Sequence, residues 1–326
     1  MAEATAGLDF ALDHDERRLL TELAASVAGP AAGAHAHDFF RQAPVLAQEL
    51  PVRLRQALVG MRQREDTAYA RVTGLTVDDE AIGDTPGRWR ERASRHRTWL
   101  HENQLTLVGS LFGELFGWSG QQDASVIHDV LPMREFENAQ INFASQEPIW
   151  WHTEDAFHTY RPDYVGLMCL RNPQRAATTV SCASDWDLSE AKFDLLFEER
   201  FQQRPDQSHG GAAESAKPRS LLTGERNRPF VCVDPYYLED PTDDTVAKVL
   251  QDFYAVVDSA LRQVVLEPGD VLIVDNFRAV HGRKPFRAAY DGRDRWLKRM
   301  SVSRDLRRCW PAWTTDSCQV LDSNDH

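Results

Sequence analysis

The chain has 326 residues, 42% apolar and 27% charged, with nine tryptophans and fifteen phenylalanines. That composition supplies a large core and excludes collagen-like, coiled-coil and wholly disordered chains. Lysine and arginine number 37 against 50 acids, a formal charge of −13, which disfavours nucleic acid and anionic membrane surfaces as partners.

Residues 14–28 carry Leu19, Leu20, Leu23 and Val27 at helical spacing, with acids near the start. Residues 38–62 repeat the pattern, with Pro44 and Pro51 expected to break it. Residues 67–75 alternate like a strand, and 97–117 read as a third apolar helix ending near Gly117 and Gly120. From about residue 124 short β-rich runs take over, at 124–131, 164–171, 177–183, 219–223, 229–234, 264–275 and 294–304. Helical segments near 188–201 and 241–262 interrupt them. Many short strands after a helical part predict a mainly β fold, a sandwich or barrel with helices packed outside. No GxGxxG or P-loop is present, which removes the usual nucleotide-binding motifs.

We expect one domain over 1–326: a helical framing part over 1–120, a β core over 121–306 and a C-terminal tail over 307–326. Residues 202–219 hold few apolar side chains; they read as a surface loop or a lid over a site. The five cysteines form no C-x-x-C pair, so neither a disulfide framework nor a cysteine zinc site is expected. With short apolar runs and no signal-peptide pattern at the start, the cytosol is the expected compartment. Monomer and homodimer are both open.

Chemistry concentrates in two places. In the run Trp150-Trp151-His152-Thr153-Glu154-Asp155-Ala156-Phe157-His158, an extended backbone points His152 and Glu154 to the same side. A second H-x-E, His14-x-Glu16, lies in a charged helix start and reads as solvated surface. The other place is Glu267 to Arg283, where a Pro268-Gly269 turn leads into a buried strand that delivers His281 at its far end. Two imidazoles and one carboxylate leave three metal positions open, which suits an Fe(II) oxygenase binding a chelating cosubstrate and dioxygen together. Beyond an Asp291-Gly292 turn signal, Arg295, Leu297 and Arg299 share one face of a strand. A hairpin there would fold Arg295 back toward His281. A guanidinium deep in a barrel needs a partner, and the distal carboxylate of 2-oxoglutarate is one; surface salt bridges are the alternative use of these arginines.

His152-Thr153-Glu154, the strand ending in His281-Gly282-Arg283, and Arg295 resemble the Fe(II)/2-oxoglutarate-dependent oxygenases of the clavaminate synthase-like group, and within it the hydroxylases of free amino acids. The resemblance runs from about Gly117 to Leu306. It implies a double-stranded β-helix, or jelly roll, with framing helices. It implies His152, Glu154 and His281 as iron ligands and Arg295 as the clamp on 2-oxoglutarate. One threonine of Ala177-Thr178-Thr179-Val180-Ser181 is expected to touch the cosubstrate, with Thr179 preferred. Arg299 is expected to take the substrate α-carboxylate. Gln121, with Gln122 as alternative, is expected to take the amino group together with Glu154. At the side-chain end Asp234 and Tyr236 stand where an arginine hydroxylase has two acids, which leaves arginine, citrulline and lysine open. The implied reaction is hydroxylation at C3 or C4 with release of succinate and CO2, in natural-product or antibiotic biosynthesis. Desaturation or ring formation on the same site, a non-catalytic metal-binding jelly roll and a zinc hydrolase are the competing readings.

Overall fold

The computed structural model describes residues 7–27, 36–91, 95–141, 143–205, 209, 217–314 and 317–324. The chain opens with β1 (Gly7–Ala11) and α1 (His14–Ala25). Asp13 and Glu16 close a capping box at the start of α1, each side chain accepting from the other's backbone N–H at 2.9–3.0 Å. The His14-x-Glu16 match is thus a helix cap. Next come α2 (Ala36–Leu46) and α3 (Val52–Met61). The chain breaks at Pro51, whereas Pro44 is accommodated in the last turn of α2. β2 (Tyr69–Thr73), α4 (Asp79–Ile82) and α5 (Arg95–Gly109) follow.

The expected helix over 97–117 stops at Gly109, and Glu114–Trp118 forms β3. Its antiparallel partner runs close enough that a Cβ on Gly113 would collide with the Ser303 carbonyl, so the glycine marks a close strand approach rather than a helix end. The next strands are β4 (Ile127–Val130), β5 (Ile149–His152), β6 (Tyr164–Arg171), β7 (Thr178–Cys182), β8 (Leu222–Glu225) and β9 (Arg228–Val231). The segment expected to be helical over 188–201 holds only a 3-10 stretch, Ala191–Phe197. Asp243 caps α6 (Asp244–Ser259), and β10 (Arg262–Val264), β11 (Val271–Asp275), β12 (Ala279–Arg283) and β13 (Trp296–Ser303) complete the β core. Within the expected C-terminal tail, β14 (Trp313–Thr314) and β15 (Ser317–Leu321) extend the sheet, with β15 parallel to β3.

Two sheets face each other. The longer has the order β1-β2-β11-β6-β13-β3-β15-β14, with β4 also on β13; the shorter is β10-β7-β12-β5. Alternation along the strands fills the space between them: Leu167, Cys169, Leu272 and Leu297 of the long sheet meet Val180 and Cys182 of the short one. The opposite residues of the long sheet, among them Met168, Ile273, Met300 and Val302, pack under α1, α2, α3 and α5. Phe253 and Val257 of α6 cover the outside of the short sheet against Trp151 and Val280. This is the expected mainly β jelly roll with framing helices. Among the described residues no helix is long and apolar enough to cross a membrane.

The chain crosses between sheets at a turn that the sequence reading ran through as one strand. β11 ends in the long sheet at Asp275; the Asp275 carboxylate accepts the Phe277 N–H at 3.0 Å, and β12 begins in the short sheet. β13 likewise pairs with β6, β4 and β3 and not with β12. Arg295 therefore meets His281 across the sandwich, not along a hairpin.

Candidate active site

His152 ends β5, and its register partner across the ladder is His281 on β12. The two rings lie with centroids 4.7 Å apart. The bulged approach of β5 to β12 needs Gly282, where a Cβ would stand 2.6 Å from the Ile149 carbonyl oxygen. Thr153 points the other way, exchanging hydrogen bonds with Val233. Glu154 is then fixed by Asn276 of the β11–β12 turn, which accepts the Glu154 N–H at 2.7 Å and donates to its carbonyl at 3.0 Å. Asp155 reverses the chain at φ +52°, held by the Trp118 indole N–H at 2.7 Å.

These constraints bring one ligand atom each from His152, Glu154 and His281 within 4.8 Å of one another. Glu154 Oε2 lies 3.7 Å from His152 Nε2 and 3.4 Å from His281 Nε2. The Trp150 carbonyl sits 2.8 Å from His152 Nδ1; it takes the ring proton there and leaves Nε2 to a metal. Burial opposes charge on His152, but the Glu154 and Asp234 carboxylates raise it to about 9. Burial lowers His281. Against burial, Arg299 and the two imidazoles hold Glu154 well below the ordinary carboxylate range. The trio is a charged, anion-containing donor set suited to a divalent cation.

Arg295, just ahead of β13, and Arg299 within it face this trio. A shared cavity is lined by His152, Glu154, His281, Thr178, Arg295 and Arg299. Arg295 is 4% exposed, and burial pulls its guanidinium down to about 10. No carboxylate or carbonyl among the described residues pairs with it, and its Nε is buried without a partner. Arg299 is occupied: Nη1 donates to Glu154 Oε1, and Nη2 reaches Gln121 Oε1 at 3.1 Å and His128 Nδ1 at 2.9 Å. Arg283, buried in the same cavity wall, donates to the Ala144 and Glu147 carbonyls at 2.8 Å each. It fastens the 144–147 segment.

Of the two threonines, Thr178 lines the cavity shared with the trio, and the preferred Thr179 lines a groove outside it. Val180 and Cys182 turn into the sandwich, so Thr178 does too. Thr179 and Ser181 point outward, and the Ser181 hydroxyl donates to the Val257 carbonyl at 3.0 Å. The two glutamines meet different partners. Gln122 is consumed by the Asp129 backbone at 2.8 and 2.9 Å, while Gln121 meets Arg299 and His209.

A second cavity opens on the other side of His152 and Glu154, lined also by Gln140, Trp150, Arg204, Asp234 and Tyr236. One Asp234 oxygen accepts the Tyr236 N–H at 3.0 Å, so this residue shapes its turn as well as facing the cavity. Trp150 and Tyr236 are about half exposed at its mouth. Trp150, Gln140 and His128 escape the sequence reading as site residues, since no spacing marks any of them; Thr178 is one of the two threonines that reading leaves open. Most of the expected lid, residues 206–208 and 210–216, lies outside the described residues. His209 stands 2.8 Å from Asp155 and 2.9 Å from Gln121.

The residues fit the groups implied for them. The two-imidazole, one-carboxylate set matches Fe(II) with open positions. Buried beside it and unpaired among the described residues, Arg295 asks for a carboxylate such as the distal one of 2-oxoglutarate.

Residues 98–301 match the family model described as Taurine catabolism dioxygenase TauD, TfdA family. The chain is 38% identical over 309 residues to the enduracididine beta-hydroxylase of Streptomyces hygroscopicus, covering 87% of this chain and 91% of that protein. It is 38% identical over 332 residues to the L-ornithine/L-arginine 3-hydroxylase of Catenulispora acidiphila, covering 92% and 96%. Among solved structures, the non-heme iron oxygenase OrfP with Fe, succinate and (3S)-hydroxy-L-Arg superposes with a TM-score of 0.87 at 38% identity, covering 96% of this chain and 99% of that one.

Proposed function

The chain belongs to the taurine catabolism dioxygenase TauD, TfdA family, and from that premise we propose that it hydroxylates a free L-amino acid at C3 or C4 with Fe(II), 2-oxoglutarate and O2, releasing succinate and CO2. The observation that carries the reading is Arg295, a buried guanidinium with no acidic partner among the described residues, in one cavity with the metal-ligand trio. A metal-storage or hydrolytic site has no use for such a residue.

In this reading His152, Glu154 and His281 hold the iron, and Arg295 with Thr178 holds the distal carboxylate of 2-oxoglutarate. Iron and cosubstrate, when bound, supply the oxidising power for C–H hydroxylation. The protein's own part is placement. Arg299 receives the amino acid's α-carboxylate, and Glu154 and Gln121 accept from its ammonium. Asp234 faces the side-chain end, with Tyr236 and Trp150 offering aromatic faces at the mouth.

Ornithine and arginine, the substrates named for one relative, carry cationic side chains, which suits a cavity walled by Asp155 and Asp234 beside Glu154 and by the rings of Trp150, Tyr236 and Tyr237, with Arg204 on the same wall. We therefore place arginine and lysine-like amino acids in the substrate class, add citrulline because its neutral ureido group can donate to Asp234 as a guanidinium does, and place the reaction in natural-product biosynthesis. All five cysteines are free, which suits the cytosol.

A panel of L-arginine, L-citrulline, L-lysine and L-ornithine with Fe(II) and 2-oxoglutarate tests this. One of the four is expected to drive succinate formation together with a product heavier by one oxygen. Succinate at the same rate with and without every member of the panel would overturn the substrate class. A product lighter by two hydrogens would favour desaturation.

A further inference from the structure

We propose that His128 is a positioning residue for Arg299, a hydrogen-bond acceptor that sets this guanidinium for the amino acid's carboxylate. The inference rests on the reading above that gives Arg299 that role.

His128 lies directly opposite Arg299 in the β4–β13 register and is 5% exposed. Among the described residues its two ring nitrogens each have one hydrogen-bonding neighbour: Nδ1 is 2.9 Å from Arg299 Nη2, and Nε2 is 2.9 Å from the Ser125 carbonyl oxygen. A guanidinium only donates and a carbonyl only accepts. The hydrogens therefore have one arrangement, with Nη2 donating to Nδ1 and Nε2–H donating to Ser125. Both ends of the ring are fixed, so the ring in turn fixes Arg299. An imidazolium would set N–H against N–H at Arg299; burial and the Arg299 charge together lower His128 to about 3.

Around Arg299 the acceptors divide the work. Glu154 takes Nη1, Gln121 and His128 take Nη2, and the buried Nε is left without a partner among the described residues. Glu154 and Gln121 are also committed to the metal and to the substrate ammonium in this reading. His128 is the acceptor on Arg299 with no other ligand to serve, so it holds the guanidinium when the other two shift toward substrate.

The test uses full-length protein loaded anaerobically with Fe(II) and 2-oxoglutarate, titrated calorimetrically with whichever amino acid of the four-member panel the wild type turns over. His128→Phe keeps the ring's bulk and removes the acceptor; His128→Asn places an amide oxygen where Nδ1 stands. Loss of a hydrogen bond to a charged group predicts about tenfold weaker amino acid binding in His128→Phe. Binding of 2-oxoglutarate should stay within about twofold of wild type, and His128→Asn should recover most of the amino acid affinity. Unchanged amino acid binding in His128→Phe, no recovery in His128→Asn, or equal weakening of 2-oxoglutarate overturns the assignment. Should His128→Phe fail to fold, the imidazole ¹⁵N shifts of the wild type decide. A neutral Nε2–H tautomer at pH 7 supports the proposal, and an Nδ1–H tautomer or an imidazolium overturns it. Failure of the parent reading looks different, since the wild type itself would then form no succinate with any member of the panel, and the proposal falls with it.

Discussion

Arg295, one residue ahead of β13, and Arg299 within it turn inward four residues apart, yet of the two Arg299 alone has an acidic partner among the described residues. Arg299 meets Glu154, Gln121 and His128; Arg295 is buried beside Leu297 and Thr178 with its Nε unpaired. A charge withdrawn from water without compensation is costly, so the difference marks where a ligand carboxylate belongs. In the proposed function it also divides the two arginines between two ligands.

Arg295→Ala should weaken 2-oxoglutarate by about tenfold or more, as expected for loss of a charge-assisted pair, while leaving amino acid binding near wild type. Arg295→Lys should recover only part, since an ammonium lacks the planar fork. Anaerobic calorimetry with each ligand separately checks both; equal weakening of the two ligands would contradict the division.

The inward turn of Thr178 gives a paired comparison. Thr178→Val should raise the KM for 2-oxoglutarate several-fold, up to about tenfold if the hydroxyl donates to a carboxylate. Thr179→Val should leave it within about twofold. Steady-state kinetics with 2-oxoglutarate varied decides, and the opposite ranking would restore the outward residue.

The metal trio was legible because its signal is local: His152 and Glu154 two apart in an extended run, and a histidine closing an apolar segment. The phase of β7 was not, since either threonine fits alternation. It is set by α6, whose Val257 carbonyl takes the Ser181 hydroxyl. The route that brings Arg295 to His281 was hidden for a similar reason. It depends on β13 pairing with β6, about 130 residues earlier, and on the sheet crossing at Asp275. The jelly roll was readable from strand density, but β3 was masked by leucines that also fit a helix. His128 carried no motif at all, and only its register with Arg299 identifies it.

On the outward face of the same strand, Lys298 is buried between Glu102 at 2.7 Å and Asp129 at 2.6 Å. Removing its charge strands two buried carboxylates. Lys298→Met should destabilise the protein by about 3–5 kcal/mol, read by urea unfolding; a loss under about 1 kcal/mol would show that water or protonation relieves the pair.

Asp275 at the sheet crossing is raised by burial to about 6. Its folded pKa lies above the unfolded one, so the folded state holds the proton more tightly. Its contribution is therefore fully present below about pH 4 and is lost as pH rises through about 6. Asp275→Asn keeps an acceptor for the Phe277 N–H and removes the charge. It should stabilise the protein at pH 8 by up to roughly 2–3 kcal/mol, with the gain shrinking toward pH 5. A gain independent of pH, followed by urea unfolding at both, would contradict that origin.

The most direct measurement is an anaerobic titration of the full-length protein with Fe(II) and then 2-oxoglutarate, followed through the visible charge-transfer absorption of an Fe(II)–keto acid chelate. The band is expected in the wild type only when both are present, and to be lost in His281→Ala. Absence of the band in the wild type, or its full retention in His281→Ala, would contradict an iron site built from positions 152, 154 and 281.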